Sequence, residues 1–107
     1  MENKTRVRNE ARSRILKALA HPTRLFIVDE LSRGEQCVRD LTVMVGADIS
    51  TVSRHLNVLK TEGIVGDEKR GTQVFYELRM PCVLNFFTCM ESVIEARARV
   101  HLALLDQ

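Results

Sequence analysis

No apolar run in the 107-residue sequence approaches the length of a membrane-spanning helix, and no membrane partner is expected. The first residues, Met1-Glu2-Asn3-Lys4, lead straight into charged sequence. They carry neither the apolar stretch of a signal peptide nor the glycine that myristoylation needs, and a cytoplasmic location is expected. Only three cysteines are present, an odd number that makes no disulfide framework. In a reducing compartment they remain thiols, available for packing, redox chemistry or soft metals. No Cys-x-x-Cys pair, glycine-rich phosphate loop or Ser/His/Asp arrangement occurs, which argues against a thiol reductase or another enzyme. Repeats, low-complexity tracts and Pro/Ser-rich linkers are absent too, so residues 1–107 read as one domain.

What is present is a hydrophobic fraction of 45%, enough for a core, and a net charge of only +2 that is unevenly spread. Residues 1–24 hold seven Lys/Arg against two Glu, a balance of +5, and the remainder carries −3. A basic front end permits contact with nucleic acid without requiring it.

Periodicity predicts a mainly α chain of about five helices with a small β-hairpin. Ile15, Leu16 and Leu19 fall at helical spacing within residues 8–20. His21-Pro22 interrupts that helix, and Pro22 suits the first turn of a second with Leu25, Val28 and Leu31 inward. Residues 36–38 read as extended, and 40–45 as a short helix closed by Gly46. Asp48 is placed to cap a helix over 49–62, whose Val52, Leu56 and Leu59 form one buried stripe. Residues 64–68 and 73–79 then form a hairpin around Lys69-Arg70-Gly71-Thr72. Pro81 opens a last helix to about Leu105, more apolar than a small monomer needs.

Two short helices joined through Gly46-Ala47-Asp48 and followed by a hairpin have the order of a winged helix-turn-helix. The inward stripe of the second leaves Ser50, Arg54 and Asn57 outward, flanked by Thr51, Ser53 and His55. These side chains bond to phosphates and base edges, and no Asp or Glu occurs from Ile49 to Thr61. Lys60, one turn on, and Lys69 and Arg70 at the hairpin tip add candidate phosphate contacts. An ordinary solvated helix face is the competing reading, and its lack of acid argues against it.

At this point a family emerges. The run Ala18–Leu31 (Ala-Leu-Ala-His-Pro-Thr-Arg-Leu-Phe-Ile-Val-Asp-Glu-Leu), Cys37-Val38-Arg39-Asp40-Leu41, Ser50–Leu56 (Ser-Thr-Val-Ser-Arg-His-Leu) and Leu59–Val65 (Leu-Lys-Thr-Glu-Gly-Ile-Val) resemble, in order, the ArsR/SmtB family of winged-helix repressors. The resemblance covers roughly residues 10 to 95 and is greatest to the arsenic-responsive branch. It implies a homodimer joined through its first and last helices. That dimer would hold double-stranded operator DNA until an inducer, here trivalent arsenic or antimony, releases it.

Arsenic and cadmium/lead sensors of this family carry a Cys-Val-Cys-Asp-Leu type motif before the helix-turn-helix. Cys37 keeps its first cysteine and Arg39 replaces the second. The last helix lacks the Asp/His set of the zinc sensors but offers Cys82 and Cys89. Those two lie seven residues apart, about 10.5 Å along a helix, too far for one small ion while the helix is intact. If residues 36–38 paired antiparallel with the second hairpin strand, Cys37 would approach Arg79 and hence Cys82. Cys37, Cys82 and Cys89 are therefore the candidate inducer ligands. A disulfide switch, or sensing of another soft metal on the same fold, is the alternative.

Overall fold

In the computed structural model, which describes residues 1–106, the chain runs α1 (Asn3–Leu19), α2 (Pro22–Leu31), β1 (Gln36–Cys37), α3 (Val38–Val45), α4 (Ile49–Thr61), β2 (Val65–Arg70), β3 (Gln73–Leu78) and α5 (Val83–Leu105). The three strands form an antiparallel sheet in the order β1-β3-β2. Five helices with this sheet constitute a winged helix-turn-helix, as the sequence pattern predicts.

Local chemistry sets the joints. Before α2 the backbone of His21 is extended and its ring Nδ1 accepts from the Thr23 N–H at 3.1 Å, while Pro22 fills a first-turn position that needs no donor. The turn between α3 and α4 depends on Gly46, whose φ of 77° is left-handed and whose N–H closes α3 on the Thr42 carbonyl. Asp48 then caps α4, accepting from the Thr51 N–H at 2.7 Å and the Ser50 hydroxyl at 2.8 Å.

One core joins these pieces. Ile27 and Val28 of α2, Leu41 of α3, Val52, Leu56 and Leu59 of α4, and Ile64 and Val65 at the start of the hairpin are all buried. Tyr76 of β3 and Val83 at the start of α5 close it. From Thr88 to Asp106 every residue is exposed, so α5 leaves the core after its first turns. The radius of gyration is 17.1 Å, against about 13 Å for a compact domain of this length.

Several boundaries differ from the sequence reading. Helix α1 begins at Asn3 rather than near residue 8, because nothing between Asn3 and Ala11 breaks a helix. Helix α3 starts at Val38, and α5 at Val83 rather than Pro81. The hairpin strands are longer at the tip: Arg70 pairs with Gln73, leaving a two-residue turn whose Gly71 supplies the positive φ. Residues 36–37 do pair antiparallel with β3, but Cys37 stands opposite Phe75, four residues short of Arg79. This register does not carry Cys37 to the Arg79 end of β3, where the expected approach to Cys82 was placed.

Candidate nucleic-acid interface and thiol sites

The stripe Val52-Leu56-Leu59 is sealed against the core, which fixes the rotation of α4 and turns Ser50, Ser53, Arg54 and Asn57 to solvent. Among the described residues Arg54 has no ion-pair partner, so its guanidinium remains available to a base edge or phosphate. The Thr51 N–H and then the Ser50 hydroxyl stabilise the Asp48 carboxylate at the start of α4, and its pKa falls to about 2. The cap therefore stays ionised at any physiological pH. Thr51 is half-buried and is positioned by its own N–H bond to that cap.

His55 occupies a different place from the one its sequence position suggests. Its ring is half-buried and lies 4.5 Å from the His21 ring, centroid to centroid. Its Nδ1 is 3.2 Å from Nη1 of Arg24, and since a guanidinium can only donate, that nitrogen is the acceptor. Arg24 also donates to the carbonyls of Ala18 and Lys17, so one side chain ties the end of α1, the start of α2 and the middle of α4. Burial, then the nearby His21, Arg24 and Arg54, lowers the His55 pKa and so favours the neutral ring that this acceptor role needs. The period that put His55 on the polar face was right, but α2 packs over that edge of α4.

The cations nominated for phosphate contact are mostly engaged. Lys60 binds Asp67 of β2 at 2.9 Å, and this hydrogen bond raises its pKa. Arg70 binds Glu35 at 2.6 Å and Glu68 at 2.9 Å, with its guanidinium 4.7 Å from the centre of the Phe75 ring. Those contacts brace the wing against the segment before β1 and raise the Arg70 pKa, Glu35 contributing most. Lys69 is exposed and makes no ion pair among the described residues.

The three thiols are separated. Cys37 is buried and precedes α3, lining a 250 Å³ cavity with Arg39, Ser53 of α4 and Gln73 of the wing. Cys82 and Cys89 are exposed, one just before α5 and the other two turns along it. Among the described residues no three of His, Cys, Asp and Glu come close enough to hold one ion. A three-thiolate site does not fit a single chain in this conformation.

Two basic residues that the sequence reading passed over stand beside α4. Arg14 and Lys17 of α1 share a cleft with Asn57 and Thr61. Their i, i+3 spacing placed them on one side of the first helix, but only the packing of α1 on α4 shows which neighbour that side meets.

These features define a winged helix-turn-helix whose second helix presents an exposed polar face without acidic residues. Residues 21–66 match the bacterial regulatory protein, arsR family, profile. The chain is 34% identical over 92 residues to the transcriptional regulator NmtR of Mycobacterium tuberculosis, covering 86% of this chain and 74% of that protein. It is 38% identical over 69 residues to the transcriptional repressor SmtB of the same species, covering 64% of this chain and 51% of SmtB. Its fold is similar to the homodimeric winged helix-turn-helix DNA-binding domain Mb0332 of Mycobacterium bovis, with a TM-score of 0.78 and 28% identity over 94% of each chain. The chain belongs to the ArsR family of bacterial regulatory proteins, whose members are regulators and not enzymes. It spans about half the length of several curated relatives that it matches.

Proposed function

We propose that the chain is a cytoplasmic transcriptional repressor that binds operator DNA as a homodimer through α4 and the wing. The observation that carries this reading is the α4 surface: Ser50, Ser53, Arg54 and Asn57 exposed together, with no acid from Ile49 to Thr61, on a helix whose opposite side is sealed. Homodimerisation rests on apolar residues of α1 and α5 that stand exposed among the described residues, including Leu16, Phe86, Met90, Val93 and Ile94. Twofold symmetry then sets two α4 helices about one turn of DNA apart on an inverted repeat. Selection of bound duplexes from a random-sequence pool tests this, with recovery of an inverted repeat expected. Recovery of no duplex above background would refute it.

The inducer we assign is trivalent arsenic or antimony, soft ions that thiolates select, with Cys37, Cys82 and Cys89 as donors. Because these thiols do not meet within one chain, the assignment requires either local rearrangement or donors from a second copy. Cys37 offers the shortest route to the DNA-binding surface, since its cavity also touches Ser53 and Gln73. An adduct there would press the wing away from α4, giving the inducer unequal affinity for the free and DNA-bound states. A hundredfold loss of DNA affinity needs only about 2.7 kcal/mol of such coupling. Ligation also needs deprotonated thiols, so inducer affinity falls with pH.

The test compares arsenite release of Cys37→Ser, Cys82→Ser and Cys89→Ser proteins from the selected duplex. Loss of response in the Cys37 and Cys82 variants is expected, and a normal response in both would place the site elsewhere. The exposure of Cys82 and Cys89 favours one rival, a thiol-redox switch on the same fold. Release by a mild disulfide-forming oxidant but not by arsenite would establish that rival.

A further inference from the structure

We propose that the cleft between α1 and the C-terminal half of α4 is a second DNA-contacting surface, taking one backbone phosphate of the same duplex per chain. This rests on the reading that α4 lies in the major groove. The cleft has a volume of 360 Å³; Arg14 and Lys17 form its α1 wall, and Asn57, Thr61 and Glu62 lie opposite. Asn57 belongs to the exposed polar face, so the cleft continues that face without a break.

Three observations favour a phosphate here. Arg14 and Lys17 have no ion-pair partner among the described residues, whereas Lys60 and Arg70 are each bonded to carboxylates. The end of α1 is held in place, because Arg24 bonds the carbonyls of Ala18 and Lys17 and reaches His55 in the middle of α4. Placement is the third. The wing residues Thr72 and Gln73 flank α4 near Ile49 and Ser53, while Arg14 and Lys17 flank it near Asn57 and Thr61. A helix seated in the major groove and flanked at opposite ends in this way has a polar support from the wing toward one bordering strand and a cationic support from α1 toward the other.

Leu16, on another side of α1, lines an apolar groove with Phe86 and Met90 of α5. Dimer contacts through that groove would leave Arg14 and Lys17 facing DNA between the half-sites. An arginine fork and a lysine point charge suit a phosphodiester. Glu62 in the opposite wall opposes it, and so supplies a substitution with the reverse effect.

The experiment measures binding by fluorescence anisotropy across a range of KCl concentrations. The probes are the duplex selected by the parent protein and a duplex of random sequence. One phosphate per chain, at about 0.9 per phosphate, gives a log–log salt slope shallower by about 2 for the R14A/K17A dimer. The same variant should weaken on both duplexes, and Glu62→Gln should bind both more tightly. Sedimentation and circular dichroism accompany each measurement, and R14Q/K17Q replaces the alanine pair should that pair fail to fold. An unchanged salt slope in the double variant, or no tightening in Glu62→Gln, overturns the proposal. Arg54→Ala separates the two readings. If Arg54→Ala weakens the selected duplex while R14A/K17A does not, only the cleft fails. If neither has an effect, the placement of α4 fails with it.

Discussion

Helices α4 and α5 carry apolar stripes of similar kind and use them oppositely. In α4 the stripe Val52, Leu56 and Leu59 is 0% exposed, whereas Met90, Val93 and Ile94 of α5 are 42%, 54% and 64% exposed. A helix whose stripe is covered by its own chain has only its polar face to offer, and its rotation is fixed by the covered side. A helix whose stripe is open offers the stripe itself, and its stability must come from whatever covers it. The first arrangement suits recognition of a polar ligand such as DNA, and the second suits association with another copy.

The comparison breaks most visibly if α5 is made polar. Val93→Glu with Ile94→Glu should convert the protein to a monomer by sedimentation at micromolar concentration and reduce helical content. Loss of bivalent binding should then lower affinity for an inverted-repeat duplex by about 10²- to 10⁴-fold. A double variant that remains dimeric with parental affinity would show that α5 is not the interface.

The covered stripe predicts the opposite failure. Leu56→Ala should cost about 2–5 kcal/mol, read as a lower urea midpoint, because a fully buried side chain at the centre of the core leaves a cavity. Its dimer interface should be intact wherever the fold survives. On the outer side of the same helix, Arg54→Ala should leave the unfolding free energy within about 0.5 kcal/mol of the parent's. It should cost about 1–3 kcal/mol in binding at one base position per half-site. Equal affinity for the selected duplex would remove Arg54 from the base-reading set.

The sequence made the covered stripe, the Asp48 cap, the Gly46 stop and the hairpin legible because each depends on residues within one or two turns of the chain. It also showed that α5 is too apolar for a small monomer. What it did not show were relations between distant segments. Arg70 looks like a solvated cation at a turn until Glu35, far back in the chain, is found against it. His55 falls on the polar face by period, and only the packing of α2 turns it into a partner for His21 and Arg24. The register of β1 on β3 was equally hidden: Cys37 pairs opposite Phe75, four residues from the Arg79 end of β3 where Cys82 was expected to meet it. Arg14 and Lys17 were visible as basic residues, but nothing local assigns them to α4 rather than to solvent.

The smallest effect tests how α4 is held rather than what it presents. One imidazole supports its middle: the half-buried His55 lies against the His21 ring, and its Nδ1 accepts from Arg24. Protonating that nitrogen removes its acceptor, and a charged His55 would also face Arg24 and Arg54. Burial is the first cause of the depressed His55 pKa, so the unfolded chain binds a proton there before the folded one does. The stabilisation is thus complete above the unfolded value of about 6.5 and is lost progressively as pH falls from there through the folded pKa. The urea midpoint of the parent should accordingly drop between pH 7.5 and 5.5. Replacing the ring by a group that accepts but does not titrate isolates this contribution, since in His55→Gln the amide oxygen can still receive the Arg24 N–H. The fall over the same range should then be shallower, with the difference between the two proteins growing as pH decreases. Parallel curves for parent and variant would assign the acid sensitivity to other groups and reduce His55 to a packing residue.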